Sequence, residues 1–332
     1  MSKELKKVSV IGDGGWGTTL AILLSRKGID VTLWSAFPAY ARMLSKKRTN
    51  PNFLKGIRIP KDIKITASLR EALSADLLVL AVPSQYLRSV LSKARLLYDR
   101  AVPVVSVVKG IEDKTLLRMS EVIRDVWRPK HAAVLSGPTI AMEVVCGIPT
   151  TAVVAAHDQS LMLSLQDLFM SPTFRIYTNK DTIGVELGGS LKNIIAIACG
   201  ISDGLGFGTN TKAAILSRGS AEMARLGMKM GAKRETFFGL SGLGDLVTTC
   251  FNPLSRNHSV GEKIGRGVSW ERIRRSMKMV AEGVPTAKAA HGLGKKYKVD
   301  LPITNEIYQV LFKNRSPREA VKSLMARGKK AE

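Results

Sequence analysis

The glycine-rich turn Gly12-Asp13-Gly14-Gly15-Trp16-Gly17 constrains the fold of this chain more than any other stretch. It follows an apolar run at residues 8–11 and precedes a helical pattern at residues 18–27, which predicts strand, turn and helix in that order. Glycines at the G-x-G-x-x-G spacing in this context are typical of a unit that binds a dinucleotide. The other interpretation is an ordinary glycine turn, and the long α/β pattern that follows disfavours it.

Three glycines of the turn have separate physical roles in such a unit. Gly12 allows the tight turn, Gly14 lets a pyrophosphate approach the backbone, and Gly17 lets the helix pack closely on the strand. The N–H groups and the positive dipole end at the start of the helix would bind the phosphates.

Strand and helix patterns alternate through the first half of the chain. The further predicted strands are residues 31–34, 77–82, 102–108, 132–135, 151–156 and 174–177. This alternation predicts a Rossmann-like, doubly wound and mostly parallel sheet. Beyond about residue 180 only helical patterns occur, at residues 183–201, 210–226, 259–266, 270–277, 286–297, 304–313 and 317–327. We therefore predict a dinucleotide-binding domain at residues 1–180 and an all-helical domain at residues 181–332.

Several polar or small residues directly follow predicted strands. Lys109 follows one strand, and Ser136-Gly137-Pro138-Thr139 follows the next. Ligands of open α/β sheets bind at the carboxyl ends of the strands. Lys109 is therefore expected at the ligand-binding edge, although a surface lysine in a turn would show the same pattern.

The segment after the second predicted strand bears on the choice of cofactor. An NAD-specific site usually has a carboxylate there to bind the ribose 2′-OH. This chain has Ser35-Ala36-Phe37-Pro38 instead, with Arg42 close in sequence. A 2′-phosphate would meet no repulsion from these residues, so NADP(H) is permitted, and we expect NADPH to be used at least comparably to NADH. Alternatively, Ser35 only caps the predicted helix at residues 38–47, after which residues 51–60 are expected to form a loop.

The net charge is +24, from 51 Lys and Arg residues against 27 Asp and Glu residues. The excess is divided evenly between residues 1–180 and 181–332, which disfavours a dedicated nucleic-acid-binding arm. A spread positive field suits an anionic substrate and an anionic cofactor.

The three cysteines, Cys146, Cys199 and Cys250, lie far apart in sequence. Their spacing favours neither a metal site nor a disulfide framework, which suits a reducing cytoplasm. No apolar run reaches the length of a membrane span. The short apolar run near the N-terminus is interrupted at Gly12, which disfavours a secretory signal peptide.

Lys192 is the strongest candidate for acid–base chemistry. It lies in the predicted helix at residues 183–201, after Gly188-Gly189-Ser190 and before Asn193 and a run of apolar residues. Burial would disfavour the ammonium form and lower the pKa of Lys192, which is how a lysine becomes a proton carrier near neutral pH. The small residues would let a ligand approach the helix. A lysine that extends to solvent from an amphipathic face is the alternative.

Two further blocks could bind a phosphorylated ligand. Asp245 is a single carboxylate among apolar residues in Gly242-Leu243-Gly244-Asp245-Leu246, and it needs a cationic or hydroxyl partner. Ser255-Arg256-Asn257 offers a guanidinium fork with neighbouring donors. Alone, Asp245 could be a cap and Arg256 a surface charge. His258 is near, but lysine already supplies the proton chemistry.

Together these blocks make the chain resemble, over nearly its whole length, the NAD(P)-dependent glycerol-3-phosphate dehydrogenases of the bacterial type. The resemblance implies a cytoplasmic homodimer that interconverts dihydroxyacetone phosphate and sn-glycerol 3-phosphate with NAD or NADP and feeds glycerophospholipid synthesis. It implies that Lys192 is the proton donor in reduction and the acceptor in oxidation. No specific nucleic acid, membrane span or metal is expected.

The resemblance also assigns binding residues. The implied substrate site consists of Lys109, Gly137, Thr139, Lys192, Asn193, Asp245, Thr249, Ser255, Arg256 and Asn257. The implied cofactor site consists of Gly12, Gly14, Gly15, Trp16, Gly17, Ala36, Lys109, Ala141, Arg256, Val280 and Glu282. Relatives often have a polar residue where this chain has Ala36, so the choice between NADH and NADPH stays open.

Two alternatives compete with this reading. The first is a dehydrogenase of the 3-hydroxyacid or 6-phosphogluconate type, which also sets a lysine on the first helix of its second domain but lacks the blocks around Asp245 and Arg256 in this arrangement. The second is a nucleotide-sensing regulator that binds nucleic acid. Such a regulator needs no buried lysine and usually has a winged-helix segment, which the sequence does not indicate.

Overall fold

The computed structural model describes residues 5–277 and 280–329. The chain divides into two compact units. The first unit comprises Met1–Lys109 and Leu117–Glu186, and the second comprises Gly110–Leu116 and Leu187–Glu332. The extreme ends of the two predicted domains, residues 1–4 and 330–332, lie outside the described residues.

The first unit is built on an eight-stranded sheet. The strands of this sheet are β1 Lys7–Ile11, β2 Asp30–Trp34, β5 Lys64–Thr66, β6 Leu77–Leu80, β7 Val104–Ser106, β8 Ala132–Ser136, β9 Thr150–Ala156 and β10 Phe174–Asn179. Two further strands, β3 Thr49–Asn50 and β4 Leu54–Arg58, form a separate hairpin. The large sheet has the order β10-β9-β8-β7-β6-β1-β2-β5. Every neighbouring pair in it is parallel except β8 and β9. The predicted doubly wound, mostly parallel sheet is confirmed.

Helices connect these strands. They are α1 Gly15–Ser25, α2 Pro38–Lys47, α3 Leu69–Ala72, α4 Ser84–Ala94, α5 Met119–Val126, α6 Ala141–Val145 and α7 Gln159–Phe169. Side chains of a strand point alternately to opposite faces, and both faces of β6 are buried. Leu77 and Val79 join one hydrophobic cluster, and Leu78 and Leu80 join another. This double burial explains why the central strands have continuous apolar sequences.

The segment after α2 differs from the expected loop. It contains the antiparallel hairpin of β3 and β4, and β5 then adds an edge strand beside β2. These strands are short, and Gly56 has φ of +83°. Such short strands interrupted by a glycine give no clear period-2 pattern, which is why the sequence indicated a loop.

From Leu187 onwards, the regular structure of the second unit is helical in the residues that the structure describes. Its helices are α8 Thr182–Gly204, α9 Thr209–Lys229, α10 Asp245–Phe251, α11 Arg256–Gly265, α12 Trp270–Ser276, α13 Gly283–Tyr297, α14 Pro302–Phe312 and α15 Pro317–Met325. A 3₁₀ turn, Arg234–Phe238, and a single π-helical turn, Leu240–Gly244, lie between α9 and α10. Residues 182–186, the first five of α8, belong to the first unit. Among the described helices, α8 alone is long and apolar enough to cross a membrane, and 94% of its most apolar window is buried inside the protein. Packing in the core therefore accounts for that apolarity.

Helices α8 and α11 touch backbone to backbone through four glycines. A Cβ added to Gly200 would lie 2.1 Å from the carbonyl oxygen of His258, and one added to Gly261 would lie 2.1 Å from that of Ile197. Gly204 and Gly265 make equally close contacts one turn further along. Only glycine permits this approach, so the four glycines fix the two helices against each other.

Candidate functional site

The glycine turn between β1 and α1 has the geometry that the spacing predicted. Gly12 has φ of +127°, and a Cβ added to it would lie 2.7 Å from the carbonyl carbon of Ala81. A Cβ added to Gly17 would lie 2.0 Å from the carbonyl oxygen of Gly12. A Cβ added to Gly15 would lie 2.7 Å from the carbonyl oxygen of Phe53. Three glycines of the turn are therefore required by the protein's own packing.

Gly14 differs, because a Cβ added to it would meet no described atom within 4 Å. Helix α1 begins at Gly15, three residues earlier than predicted, with Gly14 as its N-cap. The N-cap makes no side-chain hydrogen bond, and the first turn contains no acidic residue. An uncapped helix N-terminus beside open space suits an anionic group such as a pyrophosphate, so the turn fits a dinucleotide.

Asn50, for which the sequence predicted no role, holds this turn in place. Its Nδ2 donates to the carbonyl oxygen of Asp13 and to Oγ1 of Thr18, both at 2.8 Å. Its Oδ1 accepts from the hydroxyl of Tyr40 at 2.7 Å. Asn50 is fully buried in β3, so the unpredicted hairpin supports the turn.

The alternative that Ser35 caps the helix after β2 is wrong. The N-cap of α2 is Phe37, and it makes no side-chain capping bond, so Ser35 does not cap this helix. Ser35 is buried, and its hydroxyl accepts from the N–H of Phe37 at 3.3 Å. Ala36 is exposed. A side chain at position 36 thus points to solvent at the ligand-binding edge.

Trp16 and Ala141, both implied cofactor residues, lie near the same turn. The indole of Trp16 packs edge-on against Phe174, with ring centroids 6.3 Å apart, and its buried Nε1 has no partner among the described residues. The carbonyl oxygen of Ala141 accepts from Oγ1 of Thr19 in α1 at 3.1 Å. A Cβ added to Gly15 would lie 3.8 Å from that of Ala141.

Lys109, Gly137 and Thr139 come together beyond the ends of β7 and β8. Nζ of the half-buried Lys109 donates to the carbonyl oxygen of Gly137 at 2.9 Å and to Oγ1 of Thr139 at 3.4 Å. Gly137 has φ of +144°, and a Cβ there would lie 2.9 Å from Cα of Ala152. The structure therefore groups these three implied substrate residues around one ammonium.

Lys192 lies on α8 in the second unit, and its ammonium is buried and paired. Nζ lies 2.9 Å from Oδ1 of Asp245 and 2.5 Å from Oγ1 of Thr249. The side chains of Lys192 and Asp245 are 8% and 2% exposed. The alternative of a lysine extending to solvent is therefore wrong. Burial disfavours the charged form and the carboxylate at 2.9 Å favours it, so the lowered pKa of Lys192 stays a prediction.

The π-helical turn before α10 places Asp245. The N–H of Gly244 donates to the carbonyl oxygen of Gly239 at 3.1 Å, which closes the wider turn. Asp245 then becomes the first residue of α10, and Oγ1 of Thr249 donates to its carbonyl oxygen at 2.7 Å. Single π turns are frequent at functional sites.

One expectation about α8 is wrong. Gly188 does not leave room for a ligand, because a Cβ there would lie 2.6 Å from the carbonyl oxygen of Ser241 in the π turn. Ser190 is also buried, and its hydroxyl donates to the carbonyl oxygen of Gly110 at 3.2 Å. Gly188 and Ser190 instead let protein backbone approach α8.

Ser255, Arg256 and Asn257 form the beginning of α11, which starts three residues earlier than predicted. Oγ of Ser255 accepts from the N–H of His258 at 3.3 Å and caps the helix. Arg256 is exposed, and its Nη1 donates to the carbonyl oxygen of Val280 at 3.0 Å. A guanidinium has five N–H donors, and this carbonyl engages one of them.

Asn193 and Asn257 tie three helices together. Nδ2 of Asn257 donates to Oδ1 of Asn193 on α8, and its Oδ1 accepts from the N–H of Gly283, both at 2.9 Å. Gly283 begins α13, and the half-buried Glu282 is its N-cap. Val280, Glu282 and Arg256 thus lie on neighbouring segments, as the implied cofactor contacts require.

Two polar clusters of the second unit were not predicted as such. Oδ2 of Asp203 lies 2.7 Å from Nε2 of His258 and 2.8 Å from Nζ of Lys212. Burial raises the pKa of Asp203, but Lys212 and His258 outweigh it and hold that pKa below its usual range. The buried Glu222 caps α14 by accepting from the N–H groups of Ile303 and Thr304. Its only sequence signal is a carboxylate on the apolar face of α9.

Comparison with known proteins places these features together in one family. The chain matches the NAD-dependent glycerol-3-phosphate dehydrogenase N-terminus over residues 7–162 and the corresponding C-terminus over residues 181–322. It is 49% identical over 331 residues to a glycerol-3-phosphate dehydrogenase [NAD(P)+] of Geobacter sulfurreducens, covering 98% of this chain and 99% of the relative. A relative of that name from Fusobacterium nucleatum is 47% identical over 329 residues, or 98% of each chain. The crystal structure of a Coxiella burnetii glycerol-3-phosphate dehydrogenase superposes with a TM-score of 0.94 at 34% identity, covering 98% of this chain and 100% of that one.

Proposed function

Because this chain belongs to the NAD-dependent glycerol-3-phosphate dehydrogenase family, we propose that it interconverts dihydroxyacetone phosphate and sn-glycerol 3-phosphate by hydride transfer with NADH or NADPH. The observation that carries this proposal most directly is the buried contact of Lys192 with Asp245 and Thr249. A buried, hydrogen-bonded ammonium is a positioned proton donor, which reduction of a ketone requires.

Lys192 supplies the proton in this proposal. When bound, the nicotinamide supplies or accepts the hydride at the carbon that carries the oxygen. As negative charge develops on the carbonyl oxygen of dihydroxyacetone phosphate, Nζ of Lys192 donates a proton to it. In the oxidation of glycerol 3-phosphate, Nζ takes the hydroxyl proton back. Asp245 and Thr249 orient Nζ throughout, and the buried setting strengthens their electrostatic effect.

The phosphate of the substrate is assigned to the start of α11. Arg256 offers a planar fork that matches a phosphate, and Ser255 and Asn257 are its polar neighbours. Asn193 holds Asn257 at 2.9 Å and so supports this group. The positive charge of +24 attracts the anionic substrate at a distance.

The glycine turn is assigned to the dinucleotide. Gly14 gives the pyrophosphate access to the N–H groups at the start of α1, next to Trp16 and Ala141. Lys109, held by Gly137 and Thr139, is assigned to ligand binding at the same edge of the sheet, with Ala36 beside the adenosine ribose.

The domain roles belong to the same proposal. Residues 1–180 would bind the dinucleotide, and residues 181–332 would carry the substrate site and the contact of a homodimer. A reducing cytoplasm suits the free cysteines Cys146, Cys199 and Cys250. The product would feed glycerophospholipid synthesis. Light scattering of the purified chain tests the dimer, and a monomeric mass at micromolar concentration would contradict it.

Spectrophotometric oxidation of NADH and NADPH with dihydroxyacetone phosphate tests the activity. We expect substrate-dependent oxidation with sn-glycerol 3-phosphate as the product. Oxidation of a 3-hydroxyacid or of 6-phosphogluconate with NAD(P)+ should not be detectable. Turnover of either control without turnover of dihydroxyacetone phosphate would assign the chain to a different dehydrogenase.

A further inference from the structure

The carboxyl ends of β1 and β2 place an acidic side chain where the sequence indicated none. The two strands are parallel, with Ile11 beside Trp34. The N–H of Gly12 continues the pairing by donating to the carbonyl oxygen of Trp34 at 3.1 Å. The register thus places Gly12 beside Ser35, and the carboxyl group of the next residue, Asp13, contacts the Ser35 hydroxyl.

The backbone of Asp13 is held firmly in this position. Its carbonyl oxygen accepts from Nδ2 of Asn50 at 2.8 Å and from Oγ1 of Thr18 at 3.2 Å. These bonds tie the turn to β3 and to α1. The backbone from which the carboxyl group extends is thus fixed by β3 and α1.

The carboxyl group of Asp13 lacks a complete set of partners. The Ser35 hydroxyl hydrogen-bonds to it, but its Oδ2 is buried and has no hydrogen-bond partner among the described residues. Burial raises the pKa of Asp13, and the Ser35 hydroxyl partly opposes this effect. A buried acceptor without a donor is costly in a folded protein. Because rotation about Cβ–Cγ exchanges the two oxygens, a donor can reach either of them.

We propose that Asp13, which reaches the end of β2 from the glycine turn, is the carboxylate that binds the adenosine ribose, and that it makes the protein prefer NADH to NADPH. This inference rests on the proposed function. In dinucleotide-binding folds the ribose 2′-OH lies near the end of the second strand and donates to a carboxylate there. A ribose hydroxyl would supply the donor that the carboxyl of Asp13 lacks. A 2′-phosphate at the same place would instead meet a negative charge.

This assignment revises the expectation drawn from Ser35-Ala36-Phe37-Pro38. The segment itself contains no carboxylate, but the strand register adds one to it. Two charges of the same sign within about 5 Å repel by roughly 1 kcal/mol or more in a solvated protein site. We therefore expect the wild-type protein to bind NADH about tenfold more tightly than NADPH.

Isothermal titration of NADH and NADPH into the full chain, without substrate, tests the inference. Asp13→Asn keeps the shape of the side chain and removes its charge, so it should bring the two dissociation constants at least about fivefold closer together, mainly through tighter binding of NADPH. Asp13→Ala should do the same and serves if Asp13→Asn lowers the melting temperature. The matched control is Asp30→Asn, which removes an exposed carboxylate at the opposite end of β2 and should leave the ratio unchanged.

The outcomes separate this inference from the proposed function. The role of Asp13 is overturned if the wild-type protein binds NADPH more tightly than NADH. It is also overturned if neither Asp13 variant changes the ratio of the two dissociation constants. Both results leave the proposed function intact. An equal change in Asp30→Asn also overturns the role of Asp13, because the effect would then come from net charge. A folded wild-type protein that binds neither dinucleotide contradicts the proposed function itself.

Discussion

The glycine turn of the first unit and the lysine site of the second unit are made from different parts of the polypeptide. The turn is a backbone device, in which Gly12 and Gly17 permit close packing and Gly14 leaves space. The lysine site is a side-chain device, in which Lys192 meets an acidic residue 53 positions away in sequence. The binding properties of the glycine turn depend on backbone conformation, which does not change with pH. The properties of the lysine site depend on the partner of a buried charge and on its protonation.

The largest expected effect comes from removing the ammonium of the side-chain device. Lys192→Met keeps most of the stem but removes the proton, so we expect kcat to fall by roughly 10²–10⁴ while dinucleotide affinity is unchanged. Steady-state kinetics and dinucleotide titration measure the two quantities.

Loss of Lys192 also leaves the carboxylate of Asp245 buried without its cation, which is destabilising. The double variant Lys192→Met with Asp245→Asn removes both charges. It should be at least as stable as Lys192→Met alone and should stay inactive. If Lys192→Met retained near-wild-type kcat while Lys109→Met abolished it, the roles of the two lysines would be reversed.

Stability of the second unit should depend on pH through Glu222. Burial raises the pKa of this carboxyl from 4.5 to about 7, although the N–H groups of Ile303 and Thr304 lower it. The folded state therefore binds more protons than the unfolded chain between about pH 4.5 and 7, and the free energy of unfolding falls as pH rises through that window. The loss is about 3 kcal/mol.

Urea unfolding at both ends of this pH range measures the effect. Glu222→Gln cannot titrate, so its free energy of unfolding should lack this part of the decrease. Parallel pH profiles for the wild type and the variant would show that Glu222 has an ordinary pKa in the folded protein.

Arg256 tests whether the geometry of a side chain matters beyond its charge. Arg256→Lys keeps the charge and loses the bidentate fork, so we expect KM for dihydroxyacetone phosphate to rise by roughly one to two decades. The control is Arg266→Lys at the C-cap of the same helix, where the side chain of Arg266 is 66% exposed and pairs with Glu262. An unchanged KM in Arg256→Lys would make Arg256 a surface charge.

The smallest effect is expected in the backbone device, and it separates function from packing. Gly14→Ala adds a methyl group to open space, so the melting temperature should stay the same while dinucleotide affinity falls by about tenfold, because the pyrophosphate needs that space. Gly17→Ala should instead destabilise the protein, since its Cβ would clash with the carbonyl oxygen of Gly12. Wild-type affinity in Gly14→Ala would place the pyrophosphate elsewhere.

The glycine turn and the lysine site also differ in how far the sequence predicts them. The spacing of three glycines after a strand carries the geometry of the turn, so its role was visible without the fold. The burial of Lys192 also followed from its apolar neighbours. The sequence predicted that Asp245 needs a cationic or hydroxyl partner and could orient Lys192. The contact itself did not follow from the sequence, because the π turn that places Asp245 depends on contacts with α8. Asn50 was missed for a similar reason, since a strand of two residues gives no pattern.

The backbone contact between α8 and α11 has a consequence for which ligands the second unit accepts. Lys192 lies about two helical turns before Gly200 on α8, and Arg256 lies one turn before Gly261 on α11. Because the glycines leave no side chains to adjust between the helices, the separation of Nζ and the guanidinium is limited by main-chain contact. If Lys192 contacts the carbonyl and Arg256 the phosphate, as proposed, this contact limits the distance between the two groups of the ligand. A phosphorylated ketone longer by one carbon should then bind poorly, because the close main-chain contact resists movement of either helix.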